Sequence, residues 1–261
     1  MSVYKLILIG ALIAMTFVLF CVCVQRPHEK RKVRYAFEIV SKKSDGTSVK
    51  LITNHRWSSD FKRRFENHET HSNLKLKELS NMLQPNTHII DVGGHVGDTG
   101  LYLALVLQKN RNKHNQVIII EPDRSKVAFI RAMVELNRLN NVVVIESGVS
   151  DKPGAGSLNH NRHNSGATTV KYGEGDINID TIDNLCRGYN VALMHIDVEG
   201  MELECLKGSV RTLQHTKYVM IELNKIKERS EEVQFLISKG FVKHDDPNVF
   251  KENGNVVFFK P

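Results

Sequence analysis

Residues 88–97 read His-Ile-Ile-Asp-Val-Gly-Gly-His-Val-Gly, an apolar run that reaches Asp91 and then turns through glycines. A helical pattern follows directly, from residue 98 to about residue 107. A strand that meets a helix through glycines is typical of the ligand-binding turn of an α/β sheet. Gly93 and Gly97 suit such a turn because glycine takes positive φ without steric cost and lets the backbone approach a ligand closely. The first amide groups of the helix then face that ligand.

The spacing of these glycines indicates what the turn binds. Asp91-x-Gly93-x-x-x-Gly97 differs from the Gly-x-Gly-x-x-Gly turn of dinucleotide-binding proteins, and no phosphate-binding Lys follows it. A nucleoside ligand without phosphates, such as S-adenosylmethionine, therefore fits better than NAD or ATP. Glu121 ends the next apolar strand, where an acidic side chain can accept hydrogen bonds from both ribose hydroxyls. A tight turn in some other α/β protein is the alternative.

From residue 88 onward, short apolar runs alternate with helical patterns. Strands are predicted at 88–92, 116–121, 142–146, 191–197 and 217–222, and helices at 98–108, 124–139, 181–187, 201–213 and 231–239. Continuously apolar strands are expected where helices cover both faces of a parallel sheet. Phe241–His244 and Val256–Phe259 then suggest a terminal antiparallel pair. The prediction is a Rossmann-like, doubly wound, mostly parallel α/β sheet of seven strands with an antiparallel C-terminal strand.

Two further segments belong to this fold. Runs at 35–40 and 49–53 flank the turn residues 44–46 and predict a hairpin, and Ser58–Leu83 has a helical pattern that ends before Pro85. The stretch 151–175 is rich in Gly, Asn and His and interrupts the alternation, so it is predicted to form a small hairpin or lid near the site.

The amino terminus predicts a single transmembrane helix. Leu6–Val24 is uncharged and mostly apolar, and at 1.5 Å per residue it is long enough to cross a bilayer core of about 30 Å. A cleaved signal peptide is the alternative. These patterns divide the chain into a membrane anchor at 1–25, a basic juxtamembrane linker with hairpin and helix at 26–84, and the main domain at 85–261.

Charge around this span predicts its orientation. Only Lys5 precedes it, whereas five Lys and Arg residues follow it before residue 35, which places the main domain in the cytoplasm by the positive-inside rule. The chain has no Asn-x-Ser/Thr acceptor, and its four Cys show no disulfide pattern, which agrees with that side. A Golgi-type anchor with a luminal domain is the alternative.

The excess of basic residues is concentrated next to the predicted membrane span. Of the net charge of +7, residues 1–34 contribute +5, with six Lys and Arg against one acid. The remaining +2 is too small for a groove that follows nucleic-acid phosphates, so no nucleic-acid partner is expected. The cluster Lys62-Arg63-Arg64 is interpreted as part of a solvated helix face.

A second group of polar residues follows the strand at 191–197. Asp197 and Glu199 fall at its carboxyl end, at the edge where Gly93 and Glu121 are expected, and His195 precedes Asp197 by two positions. Because alternate positions of a strand share a face, His195, Asp197 and Glu199 are predicted to point together. The alternative is that the Asp caps the next helix and the Glu bonds to backbone.

At these residues the chain resembles the FkbM-type methyltransferases, a branch of the class I S-adenosylmethionine-dependent enzymes. The matching segments are Ile90–Gly97, Ile120-Glu121-Pro122, Ile179–Leu185, His195–Glu202 and Val219–Leu223. The resemblance implies O-methyl transfer to a hydroxyl of a sugar or other small molecule, with a small-molecule or glycan acceptor as partner. It departs at His195, where the family usually has Lys, and at Gly94, where it usually has Ala. The cofactor-binding candidates are Asp91, Gly93, Gly94, Gly97, Glu121 and Gly148.

The catalytic candidates are Glu199, His195 and Asp197, with Glu199 or His195 as the base that takes the acceptor's proton. His195 is considered because an unperturbed imidazole titrates near neutrality. No metal is assigned, although Asp197, Glu222 and Asn224 could supply oxygen ligands to Mg²⁺. Methylation of RNA or protein, and a membrane-tethered module without activity, are the alternatives from other functional classes.

Overall fold

The computed structural model describes residues 37–40, 47–67, 71–110, 114–160, 168–223, 230–244 and 254–261. The predicted membrane span at Leu6–Val24, the turn at 44–46 and the proposed ligand Asn224 lie outside these residues. Within them, no helix has the length and apolar character that a bilayer crossing requires.

Seven strands form the central sheet. In chain order they are β3 (His88–Val92), β4 (Val117–Glu121), β5 (Val142–Glu146), β10 (Val191–Ile196), β11 (Tyr218–Glu222), β12 (Val242–Lys243) and β13 (Asn255–Phe259). Their order in space is β12-β13-β11-β10-β3-β4-β5. Neighbours from β11 to β5 are parallel, and β13 runs antiparallel to both β11 and β12. The predicted mostly parallel sheet with an antiparallel C-terminal strand is confirmed, with β10 as its central strand and β3 beside it.

Eight helices accompany the strands in the described residues. They are α1 (Ser58–Asn67), α2 (His71–Asn81), α3 (Asp98–Lys109), α4 (Arg124–Leu136), α5 (Ile182–Leu185), α6 (Glu202–Lys207), α7 (Val210–His215) and α8 (Glu231–Ser238). The prediction of one helix over 201–213 is wrong, because α6 ends at Gly208 and α7 begins at Val210. A Cβ at Gly208 would lie 2.1 Å from the carbonyl oxygen of Ser150, so this break packs directly against the backbone of Ser150. Ser58–Leu83 likewise holds two helices, α1 and α2.

A second, four-stranded sheet is formed by the part of the chain between β5 and β10. It comprises β6 (Gly148–Val149), β7 (Gly154–Asn159), β8 (Thr169–Tyr172) and β9 (Ile177–Asp180), in the order β6-β9-β7-β8. The antiparallel pair β7 and β8 confirms the hairpin predicted within 151–175. Val170 of β8 lines the main cavity, which places this hairpin at the site.

The segment before β3 packs onto the main domain. The predicted hairpin forms from β1 (Phe37–Val40) and β2 (Val49–Ile52), which pair antiparallel. The side chain of Asn137, at the end of α4, binds both backbone groups of Lys50: its Oδ1 accepts from the amide at 2.7 Å and its Nδ2 donates to the carbonyl at 2.9 Å. Phe61 and Phe65 of α1 are fully buried, and the Phe61 ring packs edge-on against Phe129 of α4. This extension therefore shares a hydrophobic core with the sheet.

Candidate functional site

The main cavity lies at the carboxyl ends of the central strands, where an open α/β sheet places its ligands. Gly93 follows β3, Glu121 ends β4, Asp197 follows β10 and Glu222 ends β11, and all four line the cavity. Its volume is about 230 Å³, close to the lower end of small-molecule pockets at roughly 300–1,000 Å³. The predicted meeting of the glycine turn, Glu121 and the acidic strand end at one edge is therefore observed.

The glycine turn requires glycine for two different reasons. Gly93 and Gly97 have φ of 84° and 83°, in the left-handed region that other residues avoid. A Cβ on Gly93 would lie 1.7 Å from the carbonyl oxygen of Asp197, and one on Gly94 would lie 2.3 Å from Cγ2 of Ile119. The turn is thus pressed against β10 on one side and β4 on the other, and only a residue without a side chain fits at Gly93.

Glu121 lies in the cavity wall and is held by backbone groups. Its Oε2 accepts from the amide of His95 and its Oε1 from the amide of Asp123, each at 2.9 Å. Burial raises the pKa of Glu121 to about 7, although the charge of Lys126 and these two hydrogen bonds act in the opposite direction. Each carboxylate oxygen has a second lone pair, so the side chain retains the capacity to accept the hydroxyl hydrogens for which it was predicted.

Asp91 and His195 form a buried pair that is set back from the cavity lining. His195 Nδ1 lies 2.7 Å from Asp91 Oδ1, and the two residues are 9% and 1% exposed. Burial alone would lower the pKa of His195, but the hydrogen bond and charge of Asp91 outweigh it and raise that pKa. His195 is absent from the cavity lining that Asp197 and Glu199 share, and its ring bonds Asp91, although the charge of Asp197 still acts on it. The other Asp91 oxygen, Oδ2, is buried and has no hydrogen-bond partner in the described part of the chain.

Three carboxyl groups gather at the ends of β10 and β11. Ile196 is in register with Ile221, so Asp197 falls beside Glu222 at the ends of the two paired strands. Burial and the neighbouring Glu222 raise the pKa of Asp197 to about 7. Glu199 has a strained φ of 51°, and burial together with Asp197 raises its pKa. Glu222 also has a raised pKa, caused first by its own burial.

The sequence left open that Asp197 caps the helix that follows it. The helix α6 has Met201 at its N-cap without a side-chain cap, so Asp197 does not cap it. In the described residues, no group of three His, Cys, Asp or Glu side chains is arranged to hold a metal ion. Gly148, the remaining cofactor candidate, lines the cavity beside Val149.

Two cationic residues of the cavity were not among the predicted site residues. Lys126 of α4 lines the wall near Glu121 and lies with its Nζ 5.6 Å from the ring centre of Trp57. Arg64 of α1 also lines the cavity, so the interpretation of Lys62-Arg63-Arg64 as a solvated face is wrong for Arg64. The available signal was the spacing of Phe61 and Phe65, which marks the buried face of α1 and leaves Arg64 at its border.

The mostly parallel sheet, its glycine turn and its acidic strand ends together define an α/β methyltransferase-like fold. The family model described as "Methyltransferase FkbM domain" matches residues 91–246, which is more than half of the chain. The chain belongs to this FkbM methyltransferase family, as its resemblance in sequence predicted.

Solved structures of methyltransferases are also similar to the chain. The methyltransferase FkbM from Methylobacillus flagellatus KT is 18% identical with a TM-score of 0.46, over 69% of this chain and 45% of that chain. A methyltransferase from Geobacter sulfurreducens is 16% identical with a TM-score of 0.46, over 74% and 80% of the two chains. Magnesium protoporphyrin IX methyltransferase from Synechocystis, solved with bound S-adenosylmethionine, is 9% identical with a TM-score of 0.45, over 77% and 84%. The chain thus spans less than half of the first of these proteins. No curated protein matches the chain significantly in sequence.

Proposed function

We propose that this protein is a membrane-anchored S-adenosylmethionine-dependent methyltransferase that methylates a hydroxyl group of a sugar or other small molecule. One observation carries the proposal: the Gly93 turn joins Glu121, suited to a ribose, and the Asp197, Glu199 and Glu222 carboxyls in the wall of a single cavity. The family supplies methyl transfer as the reaction class.

The residues of the cavity fit this cofactor on three counts. The close contact with the Asp197 carbonyl requires Gly at position 93. Because Gly93 has no side chain, a ligand can approach the backbone of the turn closely. Glu121 keeps acceptor capacity toward a nucleoside sugar. The three carboxyls at the other end provide negative charge in a partly desolvated site, which favours a cationic ligand such as a sulfonium. When bound, S-adenosylmethionine supplies an electrophilic methyl group on that sulfonium.

The chain's own residues then have to hold the acceptor and accept its proton. Glu199 lines the cavity and has a raised pKa, so we assign it as the base, with Asp197 beside it. The pair Asp197 and Glu222 shares one proton, which limits the negative charge that the site must bear at neutral pH. His195 is assigned a positioning role: its hydrogen bond to Asp91 holds the end of β10, after which Asp197 and Glu199 follow.

The acceptor class and the location complete the proposal. The small-molecule or glycan acceptor is the one that the family resemblance implies, and the cavity of about 230 Å³ at the strand ends is where its hydroxyl group would meet the carboxyls. The span Leu6–Val24 anchors the protein in a membrane, and the Lys and Arg residues that follow it favour a cytoplasmic domain.

Calorimetric titration of S-adenosylmethionine and S-adenosylhomocysteine into the detergent-solubilised full chain tests the cofactor assignment. Glu121→Ala should weaken both ligands by roughly tenfold or more, because a buried acceptor of charge-assisted hydrogen bonds is lost. Glu146→Ala is the matched control: Glu146 is the register partner of Glu121 on β5, and it lies outside the cavity lining. A folded wild-type protein that binds neither ligand would refute the proposal.

A further inference from the structure

Arg64 is a cavity residue that the matched family region, residues 91–246, does not contain. It comes from α1, whose position is fixed by the fully buried rings of Phe61 and Phe65 on either side of it in sequence. Burial of both rings stabilises this packing, so it fixes the orientation of α1. The Arg64 side chain is 22% exposed, which separates it from its neighbour Arg63 at 62%.

The guanidinium of Arg64 is only weakly engaged by the protein. Its closest ion pair joins Nε to Asp60 Oδ1 at 3.5 Å, and Asp60 Oδ1 already receives a 2.6 Å hydrogen bond from Arg63. Nε is buried and has no hydrogen-bond partner among the residues that the structure describes. Within those residues, no cavity carboxyl comes within 4 Å of Arg64, although its charge acts on Glu199 and on Lys126. The partly buried guanidinium therefore keeps donor capacity that the 3.5 Å pairing with Asp60 does not use, and its buried Nε is unsatisfied.

We propose that Arg64 binds a carboxylate group of the molecule held in this cavity. The planar guanidinium fork matches a carboxylate in a two-point hydrogen bond. A phosphate dianion fits less well, because Glu199, Asp197 and Glu222 line the same cavity and would repel a second negative charge. The inference rests on the proposed function, under which the carboxylate has two sources: the amino-acid part of the cofactor, or an acid group on the acceptor, as in a uronic acid.

Paired ligands that differ in the carboxylate distinguish these sources in the full chain. S-adenosylhomocysteine and 5′-methylthioadenosine share the adenosyl thioether, but only the first has a carboxylate. Glucuronate and glucose form the corresponding pair for an acceptor. Binding is followed by the fluorescence of Trp57, the single Trp of the chain, which lies beside Lys126 of the cavity wall.

Three variants give the comparison. Arg64→Gln removes the charge and the fork, and Arg64→Lys keeps the charge alone. Arg63→Gln is the matched control, because Arg63 is adjacent, shares Asp60 as partner and points away from the cavity lining. Thermal unfolding of each variant establishes that it is folded.

If the cofactor supplies the carboxylate, Arg64→Gln weakens S-adenosylhomocysteine by roughly 10- to 100-fold and 5′-methylthioadenosine by less than about twofold. If the acceptor supplies it, the loss falls on glucuronate and spares glucose and both nucleosides. In either case Arg64→Lys gives a smaller loss and Arg63→Gln gives none. Equal weakening of 5′-methylthioadenosine and S-adenosylhomocysteine, or unchanged binding of both carboxylate ligands, overturns the inference.

A different binding result would show that the proposed function, rather than the role of Arg64, is wrong. A folded wild-type protein that binds neither nucleoside refutes the cofactor assignment, and the glucuronate arm then decides the role of Arg64 alone. Binding of glucuronate that depends on Arg64 would support the inference without the cofactor. Absence of glucuronate binding in that protein would overturn it.

Discussion

At the scale of single residues, the acidic strand ends define the chemistry of the site. Strand register places Asp197 beside Glu222, and burial raises the pKa of both carboxyls, that of Asp197 to about 7. We propose that the two carboxyls share a proton near neutral pH. Glu199, in a strained left-handed conformation directly after them, faces the same cavity. Strain of this kind costs on the order of 1–3 kcal/mol and is retained where the surrounding structure enforces it. These residues should therefore influence turnover and stability in opposite directions.

Replacing Glu199 with Gln tests its role as the base. The substitution keeps the shape of the side chain but removes its capacity to take a proton. We expect turnover with a hydroxylated acceptor to fall by roughly 10²- to 10⁴-fold, while the affinity for S-adenosylhomocysteine stays within about twofold. Transfer of a radiolabelled methyl group measures the first quantity, and calorimetry the second. Full turnover in Glu199→Gln would remove this residue from the role.

Replacing Asp197 with Asn tests the shared proton through the pH dependence of stability. Asp197 has a raised pKa of about 7 in the folded protein against a usual value near 3.8, so the folded state holds a proton that the unfolded chain releases between these values. The free energy of unfolding of the wild type therefore falls as pH rises from 4 to 7. An Asn at this position donates to Glu222 without titrating.

Asp197→Asn should accordingly raise the unfolding free energy at pH 8 by roughly 2 kcal/mol more than at pH 5. Urea unfolding at the two pH values measures this difference. Asp183→Asn, at a carboxylate on α5 that binds Arg211 and Thr212 away from the cavity, is the comparison. A pH profile identical to that of the wild type would show that Asp197 does not carry the proton.

At the scale of elements, the extension that precedes β3 is part of the site. The hairpin strand β2 is fastened to the end of α4 by the two hydrogen bonds between Asn137 and the Lys50 backbone, and α1 then brings Arg64 to the cavity. The glycine turn could be predicted from the sequence because its signal is local, in seven consecutive residues. For Arg64 the local pattern, the spacing of Phe61 and Phe65, indicates only the border of a buried face. Its place at the cavity depends in addition on the packing of Phe61 against Phe129 of α4, which lies far away in the sequence.

Asn137→Ala should loosen this fastening. Both backbone groups of Lys50 lose their side-chain partner, at a cost of about 1–3 kcal/mol in total, partly offset by water because the site is exposed. Hydrogen exchange of the Lys50 amide should accelerate by roughly tenfold or more. Asn140→Ala, at an exposed position on the same loop, serves as control. Unchanged exchange at Lys50 in Asn137→Ala would contradict this function of Asn137.

At the scale of the whole molecule, the sequence predicted the architecture well and the contacts across it poorly. Alternating apolar runs yielded the central strands and the antiparallel ending, because burial on both faces leaves a continuous apolar signature. Spatial strand order and the turning of His195 toward Asp91 had no such signature, since both arise between residues about a hundred positions apart. The close approach of Gly208 to Ser150, at the break between α6 and α7, likewise joins residues that are far apart in the sequence.

The proposed membrane anchor can be tested on the full chain. We expect the protein to sediment with membranes after alkaline carbonate washing and to enter solution with detergent. Leu12→Arg together with Phe17→Arg should release it, because each Arg near the centre of a span costs about 2.5–3.5 kcal/mol. Protease treatment of sealed vesicles then reports the side on which the main domain lies. Extraction of the wild type by carbonate alone would refute the anchor at Leu6–Val24.

The contact between Gly93 and the Asp197 carbonyl has a consequence for how this protein can change over time. The turn that is proposed to hold the cofactor and the strand that carries the acids are in direct backbone contact, through the approach of Gly93 to the Asp197 carbonyl and the 2.9 Å hydrogen bond from the Asp197 amide to the Val92 carbonyl. A shift in the backbone of either segment therefore forces a shift in the other. We expect a change of acceptor specificity to arise by substitutions in α1 and the β7–β8 hairpin, which line the cavity away from this contact. Substitutions in the Gly93 and Asp197 segments are expected to be tolerated only in combination.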